Sequence, residues 1–166
     1  MLTDQPASLP SSHGSSPHII RLHGPWQYEA LAHTKLGPSG ASIDVAGELP
    51  PSGTMKIPAN WAASLGTDFR GRVLYKRRFG RPTNLKASER IDLVTQSVNG
   101  HAIIRLNDSN LGEIEIGASA NRFDLSNKLL PRNELHIEVD LPRGYDGLAV
   151  GGIVGDIFLE IYDVNS

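Results

Sequence analysis

Short runs of strand-forming residues alternate with tight polar turns across residues 57–112, and this alternation favours an antiparallel β architecture. Residues 72–79 form an unbroken run of this type, and from Arg90 two further runs are separated by Asn99-Gly100. Asn-Gly between alternating segments is a strong hairpin signal, because both turn residues must accept positive φ. The polar residues 107–110 predict a second turn. The centre of the chain is therefore predicted to be an antiparallel meander.

The rest of the chain continues the pattern. An edge strand is expected within residues 18–32, where period-two alternation places Trp26 and Tyr28 on one face. For both rings the structural role, as anchors of the hydrophobic core, is the stronger expectation. Further strands are predicted at residues 41–45, 111–116, 121–125, 134–141 and 157–164, and Leu135, Ile137 and Val139 form the inward face of the fourth of these.

A basic run at residues 70–81 contains six Lys or Arg residues and no acid. Side chains of a strand alternate between its two faces, so these charges are divided and do not favour a nucleic-acid-binding stripe. Arg77 shares a face with the apolar Tyr75 and Phe79. Either it forms a buried ion pair, for which Asp92 on a neighbouring strand is the predicted partner, or this face lies near the rim of the sheet.

Length and charge agree with one compact unit. A chain of 166 residues is expected to form a single core. Residues 1–17 are rich in Ser and Pro, so we expect a mobile tail ahead of one β-sandwich domain at residues 18–166. The formal net charge of -2 does not indicate a nucleic-acid or membrane partner, and the absence of cysteine excludes a thiolate metal site. No signal-peptide pattern begins the sequence, which predicts a cytoplasmic location.

Six motifs, in this order, resemble the sugar-binding domain of glycoside hydrolase family 2. They are Ile-Pro-x-x-Trp at 57–61, Gly-x-Val-x-Tyr-x-Arg-x-Phe at 71–79, x-Leu-Asn-x-x-x-Leu-Gly at 105–112, Phe-Asp-Leu-Ser at 123–126, Asn-x-Leu-x-Ile-x-Val at 133–139 and Gly-Gly-Ile-x-x-Asp-Ile-x-Leu at 151–159. The resemblance implies an all-β fold, an antiparallel jelly-roll β-sandwich of the galactose-binding-domain type. It also implies that the catalytic carboxylates belong to a separate barrel domain, so that this chain is not itself an enzyme.

Strand parity sorts the connections by the end of the sandwich at which they lie. If consecutive strands alternate in direction, the connections at residues 58–71, 99–100, 117–120 and 141–156 share one end. The first and last are long and irregular, and function concentrates in such loops. The side chains there that can stack on a sugar ring or bond its hydroxyls, which we predict as ligand-binding residues, are Trp61, Arg70, Tyr145 and Asp146.

Two of these candidates carry alternatives. In the resembled family a Trp at the first motif packs against the sandwich, so a structural role is the stronger expectation for Trp61. In β-galactosidase-like members an Asp six residues before a Gly-Ile pair reaches toward the neighbouring barrel, and Asp146 has this spacing from Gly152-Ile153. The bulky residue and Arg often found beside that pair are replaced here by Val154-Gly155, which weakens the correspondence.

Two functions follow as hypotheses. The first is non-catalytic carbohydrate binding by the loops at one end of the sandwich. The second is docking of the same end against a separately encoded glycoside hydrolase or a second copy of this chain. No cofactor is predicted and no loop carries a dense acidic ligand set, although a structural calcium ion occurs in similar sandwiches. Glu113 and Glu115 share a polar strand face, where surface charge is a more common role than acid/base catalysis.

Overall fold

The computed structural model describes residues 16–166, and the tail predicted at residues 1–17 lies almost wholly outside this range. The elements are β1 (His18–Arg21), β2 (Trp26–Leu36), β3 (Ser42–Val45), β4 (Gly53–Met55), β5 (Ala59–Asn60), α1 (Ala62–Leu65), β6 (Gly71–Gly80), β7 (Glu89–Thr95), β8 (Val98–Asn99), β9 (His101–Leu106), β10 (Ser109–Ile114), β11 (Asn121–Asp124), β12 (Arg132–Leu141), β13 (Gly152–Ile153) and β14 (Ile157–Asp163). None of the helices in residues 16–166 has the length and apolar character needed to cross a membrane.

The strands form an antiparallel β-sandwich, which confirms the predicted all-β fold. A four-stranded sheet has the order β1-β14-β7-β11, and a larger sheet has the order β10-β9-β12-β6-β2-β3, with β4 also paired to β2. A third, small sheet of order β5-β13-β8 lies apart from these two. The predicted opening strand is in fact two strands. β1 lies at an edge, whereas β2 lies in the interior of the larger sheet.

The core follows from the alternation of side chains along each strand. On β12 the predicted inward residues Leu135, Ile137 and Val139 are fully buried, and the residues between them are half-buried. Leu93 on β7 and Leu159 on β14 are buried in the opposing sheet. Each such side chain contributes about 1.5–3 kcal/mol to the free energy of folding. The apolar faces that the sequence pattern identified therefore hold the two sheets together.

The hairpin predicted at Asn99-Gly100 is wrong. β7 pairs with β14 and β11, whereas β9 pairs with β10 and β12, so the chain crosses from one sheet to the other at this point. Leu93 and Ile104 on the two runs both face the core, as expected, but across the sandwich rather than side by side. Gly100 has a φ of 144°, and a Cβ there would lie 2.7 Å from Cγ1 of Val139. The Gly signal thus reflects a close approach to β12 and not a two-residue turn.

The second predicted turn is confirmed. β9 and β10 form a hairpin in which Leu106 pairs with Ser109, and the two intervening residues, Asn107 and Asp108, have φ values of 50° and 68°. Asn and Asp tolerate this left-handed region better than other non-glycine residues, which explains their presence.

The predicted Arg77–Asp92 ion pair is also wrong. Arg77 lies on β6 in the larger sheet and donates from Nη1 to the carbonyl oxygen of Pro25 at 3.2 Å. Asp92 lies on β7 in the other sheet and accepts from Arg122 at 3.1 Å. Arg77 is only partly buried, so the alternative of a face near the rim applies.

Candidate ligand-binding site

The predicted loops meet at one end of the sandwich. In the small sheet Gly152 pairs with both Asn60 and Asn99, which joins the connections at residues 58–71, 98–100 and 141–156. The connection at residues 117–120 is placed at the same end because β10 finishes opposite Ala102 and β11 begins opposite Thr95. All four connections therefore lie at the one end of the sandwich that strand parity predicts, and we call this region the loop end.

Trp61 is fully buried, so its predicted part in ligand binding is wrong and the structural alternative is correct. Its Nε1 donates to the hydroxyl of Tyr75 at 2.7 Å, and its ring packs edge to face against Phe69 with centroids 5.3 Å apart. Burial raises the pKa of Tyr75 well above its usual value. A ring with no exposed face offers no platform for a sugar, and an aromatic residue in a long loop can fill a core instead.

The glycine-dense loop at residues 141–156 packs against this buried indole. A Cβ on Gly151 would overlap the six-membered ring of Trp61, so only glycine fits there. The carbonyl oxygen of Gly151 accepts from the backbone N–H of Trp61 at 2.9 Å, and Val150 accepts from the side chain of Asn99 at 3.1 Å. The loop is thus held through its own carbonyl groups by a backbone N–H of one connection and a side-chain amide of another.

Arg70 joins the two long loops. Its Nη1 donates to the carbonyl oxygen of Phe69 at 2.9 Å and, more weakly, to that of Thr67 at 3.4 Å. Its Nη2 donates to the carbonyl oxygen of Ala149 in the other loop at 2.5 Å. Three of its five N–H groups are used in this way, which leaves two free for a ligand.

Tyr145 and Asp146 occupy the outer part of the same loop. Tyr145 is half-buried and packs at the margin of the core, whereas Asp146 is exposed and has no ion-pair partner within residues 16–166. Arg70 reaches the loop that carries these two residues, so three of the four predicted side chains lie at the loop end in accessible positions.

Sequence reasoning missed a cavity at this end. It has a volume of about 200 Å³ and is lined by His33, Thr34, Lys35, Val45, Ala46, Gly47, Arg70 and Arg143. Arg143 reaches it because its backbone pairs with the end of β2: its N–H donates to Thr34 at 2.9 Å, and its carbonyl accepts from Leu36 at 2.8 Å. The only one of its lining residues predicted from the sequence was Arg70; Arg143 was not, because its pairing with β2 spans more than 100 residues.

One group of potential metal ligands occurs within residues 16–166, and it consists of His101, Glu113 and Glu115. Nε2 of His101 lies 3.0 Å from a carboxylate oxygen of Glu113, and both glutamates are exposed, Glu113 on β10 and Glu115 just after its end. Calcium prefers six to eight oxygen ligands, so an imidazole with two carboxylates does not fit the structural calcium ion considered from the sequence.

Comparisons with known proteins support the fold. No family model matches the sequence, and no curated protein matches it. Among solved structures, a β-glucuronidase from Bifidobacterium dentium in complex with coumarin-3-O-glucuronide superimposes with a TM-score of 0.69 at 20% identity over 90% of this chain. A Faecalibacterium prausnitzii β-glucuronidase superimposes with a TM-score of 0.69 at 17% sequence identity over 94% of this chain. A putative β-galactosidase from Bacteroides fragilis superimposes with a TM-score of 0.65 at 18% identity over 87% of this chain.

These likenesses confirm, at the level of the fold, the resemblance to the sandwich domain of family 2 glycoside hydrolases. The chain spans only 30%, 33% and 23% of the length of the three enzymes. In fold it therefore matches one part of each of these longer enzymes.

Proposed function

We propose that this domain binds carbohydrate at the loop end and does not itself hydrolyse it. The observation that carries the proposal is the cavity between β2 and the two long loops, whose walls are fixed by the Arg70 and Arg143 backbone and side-chain bonds. Binding sites in proteins are usually concave and largely preformed, with a few polar groups that set the orientation of the ligand. The fold supports the class of ligand, since the similar structures are carbohydrate-active enzymes.

The size of the cavity limits the ligand. A volume of about 200 Å³ lies below the roughly 300–1,000 Å³ typical of sites for drug-sized molecules. One sugar unit or its substituent fits such a space, with the rest of a glycan lying across the loop surface. Tyr145 offers a partly exposed ring and Asp146 a free carboxylate on that loop, where they would contact neighbouring sugar units.

The non-catalytic part of the proposal rests on the extent of the match. The chain corresponds to about a quarter to a third of each hydrolase, and the resemblance assigns the catalytic carboxylates to a separate barrel. We therefore propose that this domain contributes recognition and that any hydrolysis of the bound glycan depends on a barrel enzyme.

A glycan-array screen of the purified protein tests the proposal. We expect binding to a subset of glycans that is weakened by Arg143→Ala and Asp146→Ala and unchanged by Lys128→Ala, an exposed residue at the opposite end of the sandwich. Tyr145→Ala is informative only if its melting temperature matches that of the wild type, because Tyr145 also packs on the core. A folded protein that binds no glycan at millimolar concentrations would contradict the proposal.

Docking to another protein is the second candidate function. β3 is the last strand of the larger sheet, and its Ile43 and Val45 are 41% and 38% exposed, close to Leu36 at 37%. Exposed apolar residues on an edge strand are typical of surfaces that another chain covers. A concentration-dependent dimer, or a complex with a family 2 hydrolase, that is abolished by Ile43→Lys would favour this candidate.

A further inference from the structure

The lining of the loop-end cavity is basic. It includes His33, Lys35, Arg70 and Arg143, and none of the eight lining residues is an acid. A neutral sugar is usually held by a mixture of donors and acceptors, because each hydroxyl both donates and accepts. A lining in which all the ionisable side chains are basic instead suits a ligand that carries negative charge.

The positive charge at the cavity is not neutralised by neighbouring acids. Within residues 16–166 no carboxylate lies within 4.0 Å of the Lys35, Arg70 or Arg143 side chains, although salt bridges form elsewhere on the same sheet. Of the nearby acids, Asp44 pairs with Arg72 at 3.1 Å, and Asp140 accepts from the hydroxyl of Thr34 at 2.7 Å and keeps its negative charge. The Lys35, Arg70 and Arg143 side chains outnumber this carboxylate, so the lining remains net positive.

Two of the basic groups are held in place before any ligand arrives. Arg70 is anchored by carbonyl oxygens from both long loops. His33 Nε2 lies 2.7 Å from the carbonyl oxygen of Glu48, which can only accept, so this nitrogen carries the proton. The His33 ring also packs against Phe69 with centroids 5.3 Å apart, and Gly47 lies directly over it. Groups that are already ordered lose less conformational entropy on binding.

We propose that this cavity recognises an acidic sugar, through the carboxylate of a uronic acid or a sulfate ester on the ring. The inference rests on the proposed carbohydrate-binding function and specifies its ligand class. The oxyanion enters the cavity, where the free N–H groups of Arg70 and the exposed Arg143 and Lys35 donate charge-assisted hydrogen bonds to it. Such bonds are roughly twice as strong as those between neutral groups.

The test compares ligands that differ only in charge. Isothermal titration with a tri-galacturonate, its methyl ester, a sulfated galactose trisaccharide and the unsulfated parent gives two matched pairs. We expect one or both acidic ligands to bind about tenfold or more tightly than their neutral partners, which corresponds to one charge-assisted bond. The preference should decrease when the salt concentration is raised, because ions screen the charges. The two pairs also distinguish a carboxylate from a sulfate as the recognised group.

Three variants complete the experiment. Arg143→Gln and Lys35→Gln keep the backbone pairing with β2, and each is expected to weaken binding of the acidic ligand about tenfold and to weaken binding of the neutral partner clearly less. Lys128→Gln, at the opposite end of the sandwich, also removes one positive charge and should change the affinity for neither the acidic nor the neutral ligand. Equal binding of acidic and neutral ligands, or equal effects of Arg143→Gln and Lys128→Gln, would overturn the inference and leave carbohydrate binding intact. If none of the four ligands binds and the glycan array also shows no binding, both the proposed carbohydrate binding and the preference for acidic sugars are contradicted.

Discussion

Tyr75→Phe removes the acceptor of the Trp61 indole and tests whether this buried pair fixes the loop end. Both side chains are fully buried, and the Nε1–hydroxyl distance of 2.7 Å indicates a well-formed hydrogen bond. The substitution removes one oxygen atom and keeps the ring, so its effect is confined to the bonds of that hydroxyl, which are the bond with the Trp61 indole and one with the backbone of Ile153. It leaves the indole N–H buried without a partner.

The size of the effect follows from this geometry. A buried donor left without an acceptor costs about 1–3 kcal/mol, so we expect the free energy of unfolding to fall by that amount. For a domain of this size this corresponds to a fall in melting temperature of about 2–4 °C per kcal/mol. Trp61→Phe removes the donor and also leaves a space, for which we expect a loss of about 2–4 kcal/mol. The double variant has no unmatched indole donor and should lose about 1 kcal/mol less than the sum.

Urea denaturation followed by circular dichroism measures all four proteins of this cycle. Tyr28→Phe is the matched control, because Tyr28 lies opposite Tyr75 on β2 but is only half-buried, and it should change stability by less than about 0.5 kcal/mol. If Tyr75→Phe behaves like this control, or if the double variant equals the sum of the single ones, the hydrogen bond does not hold the loop end.

Three further predictions concern residues that stabilise the sandwich. Gly100→Ala should destabilise the protein by about 1–3 kcal/mol in urea denaturation, because the added Cβ would overlap β12. Gly117 has a φ of 82° and open space around it, so Gly117→Ala should cost only the backbone strain of about 1–2 kcal/mol. Gly151→Ala would displace the loop from the buried indole, so we expect a lower melting temperature together with weaker glycan binding; unchanged binding would show that the cavity does not depend on this packing. The hydrogen bond from His136 lowers the pKa of Glu134, so this carboxylate stabilises the fold above the usual Glu pKa and loses that contribution as the pH falls through its depressed value. The stability difference between wild type and Glu134→Gln should therefore shrink as the pH falls below the usual Glu pKa, and a difference that stays constant there would contradict the prediction.

The strands and their inward faces could be predicted because side-chain alternation is a local property of the sequence. Leu135 and Val139 are buried as their spacing requires, and the turn at Asn107 is encoded by residues that tolerate positive φ. The partner of each strand is not local. Gly100 serves equally well in a hairpin and in a crossover between sheets, so the sequence pattern did not distinguish the two. The Arg77–Asp92 pairing failed for the same reason, because it assumed that consecutive strands share a sheet.

The candidate site, too, could be predicted only in part from the sequence. Arg70 was identified because long loops at one end of a sandwich were expected to meet, and they do. Trp61 occupies such a loop but fills the core, and an aromatic residue alone does not reveal which of the two roles it has. His33 and Lys35 were not candidates, since they belong to a regular strand and reach the cavity only because Arg143 pairs with the end of β2.

The pairing of β14 with both β1 and β7 determines when the sandwich can be completed during synthesis. The five long strands of the larger sheet have all been made once the ribosome has passed Leu141, so that half can begin to assemble on the nascent chain. The other sheet lacks its second strand until Asp163 has been added, and β1 has no neighbour until then. Until that moment only β7 and β11, which pair with each other, can cover the apolar side of the larger sheet, and contacts as distant as His18 with Ile161 close slowly. The stretch between Leu141 and Asp163 is therefore the part of the chain whose synthesis leaves apolar surface of the larger sheet incompletely covered.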